Sequence, residues 1–402
     1  MRELPFMVAI VSIVAAWPGG ARAADCTVTS VGFTPLDDLG AGLYLGQFQG
    51  GLYSGGQNVP PPAHAAEGLA RALGIAPLDA AGNPDPNGKY VLLSIGMSNT
   101  TQEFCSQNSA LPCDPWTFMG QAVIHPQVNH TTLAIVNGAR GGQAADAWEF
   151  PDSPNYNRIR DTRLAPLGLT EAQVQVAWVK VADRIPTVSL PAPGADAFVL
   201  LTRMGNIARA MHIRYPNLAM ILLSSRIYAG YATSTLSPEP YAYESGFAVK
   251  WLIEAQVTQM AGGSQGPLAG DLDYQTAAPW LGWGPYLWAD GLVPRTDGLI
   301  WACSDLETDG THPSMSGEEK VGSLLLDFML NSPLARPWFR ACFGGDPNAD
   351  GTLDTTDIAP FTAVLLGTPP PGILPANSDM NCDGRVDGGD IQPLVQLMTA
   401  GP

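Results

Sequence analysis

One loop pattern occurs twice within residues 341–402, and it fixes what that stretch can fold into. The first copy runs Asp346-Pro-Asn348-Ala-Asp350-Gly351-Thr352-Leu-Asp354-Thr-Thr-Asp357. The second begins 33 residues later, Asp379-Met-Asn381-Cys-Asp383-Gly384-Arg385-Val-Asp387-Gly-Gly-Asp390. A calcium loop needs side-chain oxygens at positions 1, 3 and 5, a backbone carbonyl at 7 and a carboxylate at 12, with glycine at 6 for the turn. Both copies meet every requirement. The expected ligands are Asp346, Asn348, Asp350, Thr352, Asp354 and Asp357 for one ion, and Asp379, Asn381, Asp383, Arg385, Asp387 and Asp390 for a second. Thr352 and Arg385 would contribute through their carbonyls.

A full EF-hand has a helix on each side of its loop. Here the first loop follows Cys342-Phe343-Gly344-Gly345 and the second follows Pro369-Pro370-Pro371-Gly372, so only exit helices are predicted. Their apolar faces are Ile358, Phe361, Val364 and Leu365, then Ile391, Leu394, Val395 and Met398, at helical spacing. A duplicated loop-plus-helix over Cys342–Met398 resembles a dockerin module. The resemblance implies a cohesin-like scaffold partner, recognised through loop positions 10 and 11. These are Thr355-Thr356 in the first copy and Gly388-Gly389 in the second.

The chain begins with a basic Arg2, an apolar run from Phe6 to Trp17 and the small-residue site Ala21-Arg22-Ala23, which reads as an export signal over residues 1–23. The run is too short to span a bilayer. The expectation is a secreted or periplasmic protein without membrane insertion. Six cysteines in that compartment suggest disulfides. Cys105–Cys113 is the favoured local pair, and Cys342–Cys382 would staple the tail, leaving Cys26 with Cys303. Net charge is −17, and residues 341–402 alone hold eight Asp and one Arg, hence −7. An acidic chain argues against nucleic acid as a partner.

Residues 24–335 alternate short apolar runs with helical stripes, which predicts a three-layer α/β domain around a parallel sheet. The runs are Tyr90–Ile95, Leu133–Val136, Val174–Val179 and Ala219–Leu223, and one stripe is Phe198, Leu201, Met204, Ile207 and Met211. A last helix is expected from Ser316, capped by Glu319. Sites in such sheets form at the C-terminal strand ends. Three motifs fall in suitable places: Gly96-Met97-Ser98-Asn99 after the first strand, Asn137-Gly138-Ala139-Arg140-Gly141-Gly142 after the second, and Asp309-Gly310-Thr311-His312-Pro313 before the last helix. A serine nucleophile needs a base, and the base needs an acceptor to fix its tautomer.

This set, over residues 88–330, resembles the SGNH (GDSL-like) hydrolases, with Gly-Met-Ser-Asn closest to the Gly-Gln-Ser-Asn form of sialate O-acetylesterases. The resemblance implies a serine esterase acting on an acetylated glycan or other ester, with no cofactor for catalysis. Ser98 would be the nucleophile, His312 the base and Asp309 its orienter. Backbone N–H groups of Ser98 and Gly142, with Gly141 as fallback, would form the oxyanion hole. The family's third-block asparagine has no counterpart: Trp178-Val179-Lys180 stands there, so Lys180 would have to supply the third donor. The alternative is a non-catalytic glycan-binding or scaffold-attached protein that keeps this fold. Trp280, Trp283, Tyr286 and Trp288, interleaved with Gly and Pro, read first as core packing of a long loop, with a sugar-stacking platform as the alternative.

Overall fold

The computed structural model describes residues 23–106, 111–341, 345–380 and 386–400. The proposed export signal, the Cys342–Cys382 pair and the ligands Asn381, Asp383 and Arg385 lie outside the described residues.

Near the start, Leu43–Tyr44 (β1) and Phe48–Gln49 (β2) form a small antiparallel hairpin. The main sheet has five parallel strands: Tyr90–Gly96 (β3), Leu133–Asn137 (β4), Val174–Lys180 (β5), Met220–Leu223 (β6) and Trp280–Trp283 (β7), in the order β4-β3-β5-β6-β7. Every residue of β3 and β5 is buried. Both faces of the sheet are therefore covered, as their unbroken apolar runs require. Helices Asp196–Arg214 and Tyr241–Met260 pack on one another, and Met315–Asn331 packs against Ser98–Phe104 and Phe118–Ile124. The predicted stripe from Phe198 to Met211 lies on the first of these helices.

The chain turns from β3 to β4 on one side and then crosses to β5 on the other. This places a topological switch at the C-terminal end of β3, where ligand sites form in open α/β sheets.

The aromatic stretch is core, as its favoured reading has it, and not the alternative sugar platform. Trp280 and Trp283 form the fifth strand; Trp280 and Trp288 are fully buried, and Trp283 and Tyr286 nearly so. Their indole N–H groups are occupied inside the protein, Trp280 with His64 O, Trp283 with Leu52 O and Trp288 with Glu239 Oε1, at 3.1, 2.8 and 2.8 Å. The last helix starts one residue earlier than expected, at Met315, and no side chain caps it. Ser316 Oγ instead donates to Asp305 Oδ1 and holds the preceding loop.

Disulfides join Cys105 to Cys113 and Cys26 to Cys303. The second ties the N-terminal segment to the loop that leads into Asp309 and His312. In the tail, Ile358–Leu365 and Ile391–Ala400 are helices following the two loops. Phe361, Met380 and Leu394 form their small separate core.

Candidate active site

Strand β3 ends at Gly96, Met97 is extended, and Ser98 begins a seven-residue helix. The turn needs glycine: a Cβ at Gly96 would lie 2.3 Å from both Lys180 O and Thr100 Oγ1. Hydrogen bonds fix the turn from beneath, from Thr100 Oγ1 to Lys180 O at 2.7 Å and from Thr101 Oγ1 to Met97 O at 3.0 Å. Asn99 Nδ2 reaches across to Thr311 O at 3.0 Å, so the serine turn and the histidine loop are directly bonded.

That loop is shaped by its own aspartate. Asp309 Oδ1 accepts from the backbone N–H groups of Thr311 and His312 at 2.8 and 3.0 Å. Gly310 sits at φ 66°, where a Cβ would meet Tyr231 O at 2.3 Å. The outcome is a continuous chain of contacts. His312 Nδ1 lies 2.6 Å from Asp309 Oδ2, and His312 Nε2 lies 2.8 Å from Ser98 Oγ. Partial burial raises the Asp309 pKa, but the hydrogen bonds from the His312 ring and from two backbone N–H groups outweigh it, giving about 2. Asp309 is thus an anion at any ordinary pH, and it favours the Nδ1–H tautomer that leaves Nε2 free to accept from serine.

The motif after β4 closes another side. Ser94 Oγ donates to Asn137 Oδ1 at 2.8 Å, and Asn137 Nδ2 donates to Thr101 O at 3.1 Å. Arg140 N–H donates to Gly96 O at 3.0 Å. Gly142 lines a cavity of about 300 Å³ together with Met97, Ser98, Asp183, Arg226 and His312. Gly141 also faces the serine: its Cβ position is 3.9 Å from Ser98 Cβ.

Lys180 does not join them. It is fully buried, its Nζ 2.5 Å from both carboxylate oxygens of Glu103, which is fully buried too. Its ammonium is paired with Glu103 beneath the serine turn and does not line the cavity, so it is not placed to serve as the third oxyanion donor. Burial pushes the Glu103 carboxyl up and the Lys180 ammonium down, each opposed by the attraction of the other. Asp183, Arg184 and Arg226 are cavity residues that sequence patterns did not single out. An Asp-Arg pair three residues past a buried strand was the only available signal.

The first tail loop holds the expected donor types. Asp346 and Asp357 are buried; Asp346 carboxylate oxygens accept from Asp350 and Gly351 N–H, and Asp357 oxygens from Asn348 and Asp354 N–H. Burial, then the nearby Asp346 and Asp350, raise the Asp357 pKa despite those bonds. Such crowding of carboxylates is what a divalent cation relieves, so the residues fit calcium. Among the described residues, however, no three His, Cys, Asp or Glu side chains already converge as on a bound ion. Arg336 occupies part of the position, donating to Asp346 Oδ2 at 2.7 Å. In the second loop Asp390 plays the same part as Asp357, accepting from Met380 and Asp387 N–H at 2.6 and 2.8 Å.

Residues 344–398 match the Dockerin type I domain family. Solved structures with likeness include an extracellular lipase of Streptomyces rimosus, 12% identical with a TM-score of 0.29, covering 59% of this chain and 97% of that one. Another is a carbohydrate esterase family 2 enzyme with a carbohydrate-binding domain from Corynascus thermopiles (Myceliophthora fergusii), at 11%, 0.33, 60% and 66%. A salicylyl-acyltransferase from a tetracycline biosynthetic pathway stands at 16%, 0.30, 60% and 54%. No curated protein sequence matches the chain. The structural likenesses are too slight to assign chemistry, which rests on the cavity itself. The chain is thus an α/β domain built on a five-stranded parallel sheet, followed by a tail whose residues 344–398 match the dockerin type I domain.

Proposed function

We propose that the protein is an exported serine esterase, a carbohydrate O-acetylesterase, whose tail binds two calcium ions and docks onto a cohesin-like scaffold. The observation that carries the esterase reading is the Ser98–His312–Asp309 chain, with contacts of 2.8 and 2.6 Å at the wall of one cavity. Ser98 Oγ attacks the ester carbonyl and His312 Nε2 takes its proton. The backbone N–H groups of Ser98 and Gly142 receive the oxyanion. His312 then protonates the departing sugar alkoxide, and water repeats the sequence on the acyl-serine. Asp309 holds the ring throughout and stays ionised.

Asp346, Asn348, Asp350, Asp354, Asp357 and the Thr352 carbonyl would hold the first ion, and the equivalent residues of the second loop the other; calcium there would fix the exit helices. Thr355, Thr356 and Ile358 are exposed beside the first loop, and Ile391 and Val395 beside the second, which supports a docking face.

The deciding test is turnover of 4-nitrophenyl acetate by the mature protein and by Ser98→Ala and His312→Ala. Each variant should lose at least about 10³-fold in kcat, and the double variant little more, because the two act as one unit. Full activity in Ser98→Ala would end the reading.

A further inference from the structure

The oxyanion of the proposed reaction has two backbone donors, and one of them, Gly142 N–H, sits on a turn that packing does little to hold. Gly141 and Gly142 are both exposed, and no atom lies within 4 Å of the position a Gly142 Cβ would take. Gly142 stands at φ 74°, one of several basins that glycine enters at little cost. At a negative φ the same N–H would point elsewhere. Bonds anchor the ends of the turn: Arg140 N–H donates to Gly96 O at 3.0 Å, Gln143 N–H to Arg140 O at 3.2 Å and Ala145 N–H to Ala182 O at 3.0 Å. None of these touches an atom of Gly142.

The bond that does comes from Arg184, whose Nη2 donates to Gly142 O. Arg184 follows β5 and lines the cavity with Ser98, Gly142 and His312. It is exposed, so its substitution leaves the core untouched. With Gln143 N–H held by Arg140 O and Gly142 O held by Arg184, both polar ends of the peptide between Gly142 and Gln143 are fixed. Gly142 then has little freedom to leave its positive φ. We infer that Arg184 is a positioning residue of the oxyanion hole: by holding Gly142 O it keeps Gly142 N–H aimed into the cavity before the oxyanion forms. This rests on the esterase reading above. Such a donor raises the rate only if it is in place when charge develops on the carbonyl oxygen. The ground-state ester carries no such charge, so loss of Arg184 should fall on kcat and spare KM.

The test is turnover of 4-nitrophenyl acetate by the full mature chain, by Arg184→Met, Arg184→Lys and Gly142→Ala, and by Arg184→Met combined with Gly142→Ala. Arg184→Met should lower kcat by roughly 10- to 100-fold, less than the about 10²–10³ of a whole donor, with KM nearly unchanged. Arg184→Lys can still donate to Gly142 O and should regain most of the loss. Gly142→Ala opposes the positive φ and should lower kcat as well. Adding Arg184→Met to it should cost little more, because one residue acts through the other. Inhibition by phenylboronic acid, which becomes a tetrahedral anion on Ser98, should weaken in step with kcat. An unchanged kcat in Arg184→Met, or a loss carried by KM, overturns the inference, as do fully additive losses in the double variant. An unaltered chain that turns over no ester ends the esterase reading and this inference with it, whereas the other outcomes end this inference alone.

Discussion

Lys180→Met should unfold the protein at lower temperature before it says anything about catalysis. Lys180 and Glu103 are both fully buried, with Nζ 2.5 Å from each carboxylate oxygen. Removing the lysine leaves a carboxylate in the interior facing only the more distant Arg226 and His312. Breaking such a pair from one side costs about 3–5 kcal/mol. Against a total stability of about 5–15 kcal/mol, that is a large fraction. At about 2–4 °C per kcal/mol for a large domain, the melting temperature should fall by roughly 10 °C. Glu103→Leu combined with Lys180→Met should recover at least half of the loss, since apolar replacement of both partners is often near neutral. Arg226, left with fewer compensating charges, keeps recovery from being complete. Calorimetric or circular-dichroism melting of the two single variants and the double variant completes the cycle. The reasoning is refuted if Lys180→Met melts like the unaltered protein yet loses about 10²-fold in kcat, the signature of a lost oxyanion donor.

Asp309→Asn should lower kcat by about 10²–10⁴-fold by permitting the wrong histidine tautomer; against partial burial, the hydrogen bonds from His312 hold the Asp309 carboxyl at about 2, so protonation of Asp309 itself should contribute nothing to a kcat–pH profile above about pH 4. Burial pushes Glu318 up to about 7 from 4.5 despite the Trp116 hydrogen bond. A raised carboxyl favours the folded state below the unfolded pKa and loses that advantage as pH rises through the folded one. The loss is at most about 3 kcal/mol at ~1.36 kcal/mol per unit. Melting temperature should therefore fall between pH 5 and 8, and less so in Glu318→Gln; equal slopes would contradict this. Calcium should raise the melting temperature of the tail and chelator should reverse it. Arg336→Ala should tighten the first site in a calcium titration by freeing Asp346, while Asp350→Ala should weaken it more than the second.

The strands that were legible are those with long, largely apolar runs buried on both faces, β3 and β5 above all. Strand β7 was not, because Trp280-Leu281-Gly282-Trp283 is short, glycine-interrupted and flanked by prolines. Its tryptophans read as the packing of a long loop and not as a strand, because no alternation or unbroken apolar run marks them. Ser98, Asp309 and His312 were legible because the residues that shape each turn are neighbours in sequence: Gly96 sets the serine turn, and Asp309 bonds the backbone of its own loop. Lys180 was misplaced for the opposite reason. Its partner, Glu103, is 77 residues away, and nothing local separates a lysine aimed into a cavity from one neutralised below it. Arg226 and Asp183 lie on irregular segments past strand ends, where side-chain direction has no period to follow.

The same long-range bonds explain why the site holds its shape. Asn99 bonds Thr311 O in the histidine loop, Thr100 bonds Lys180 O at the end of β5, and Ser94 and Asn137 join β3 to the turn after β4. Each of these polar groups is buried, so each bond broken leaves an unsatisfied group and costs more than the bond alone contributes. The serine, the histidine and the Gly142 turn are therefore held to one another and not only to the sheet. An arrangement of this kind suits a reaction in which charge develops on an oxygen that the free protein never contains, because the donors must be in place before that charge appears.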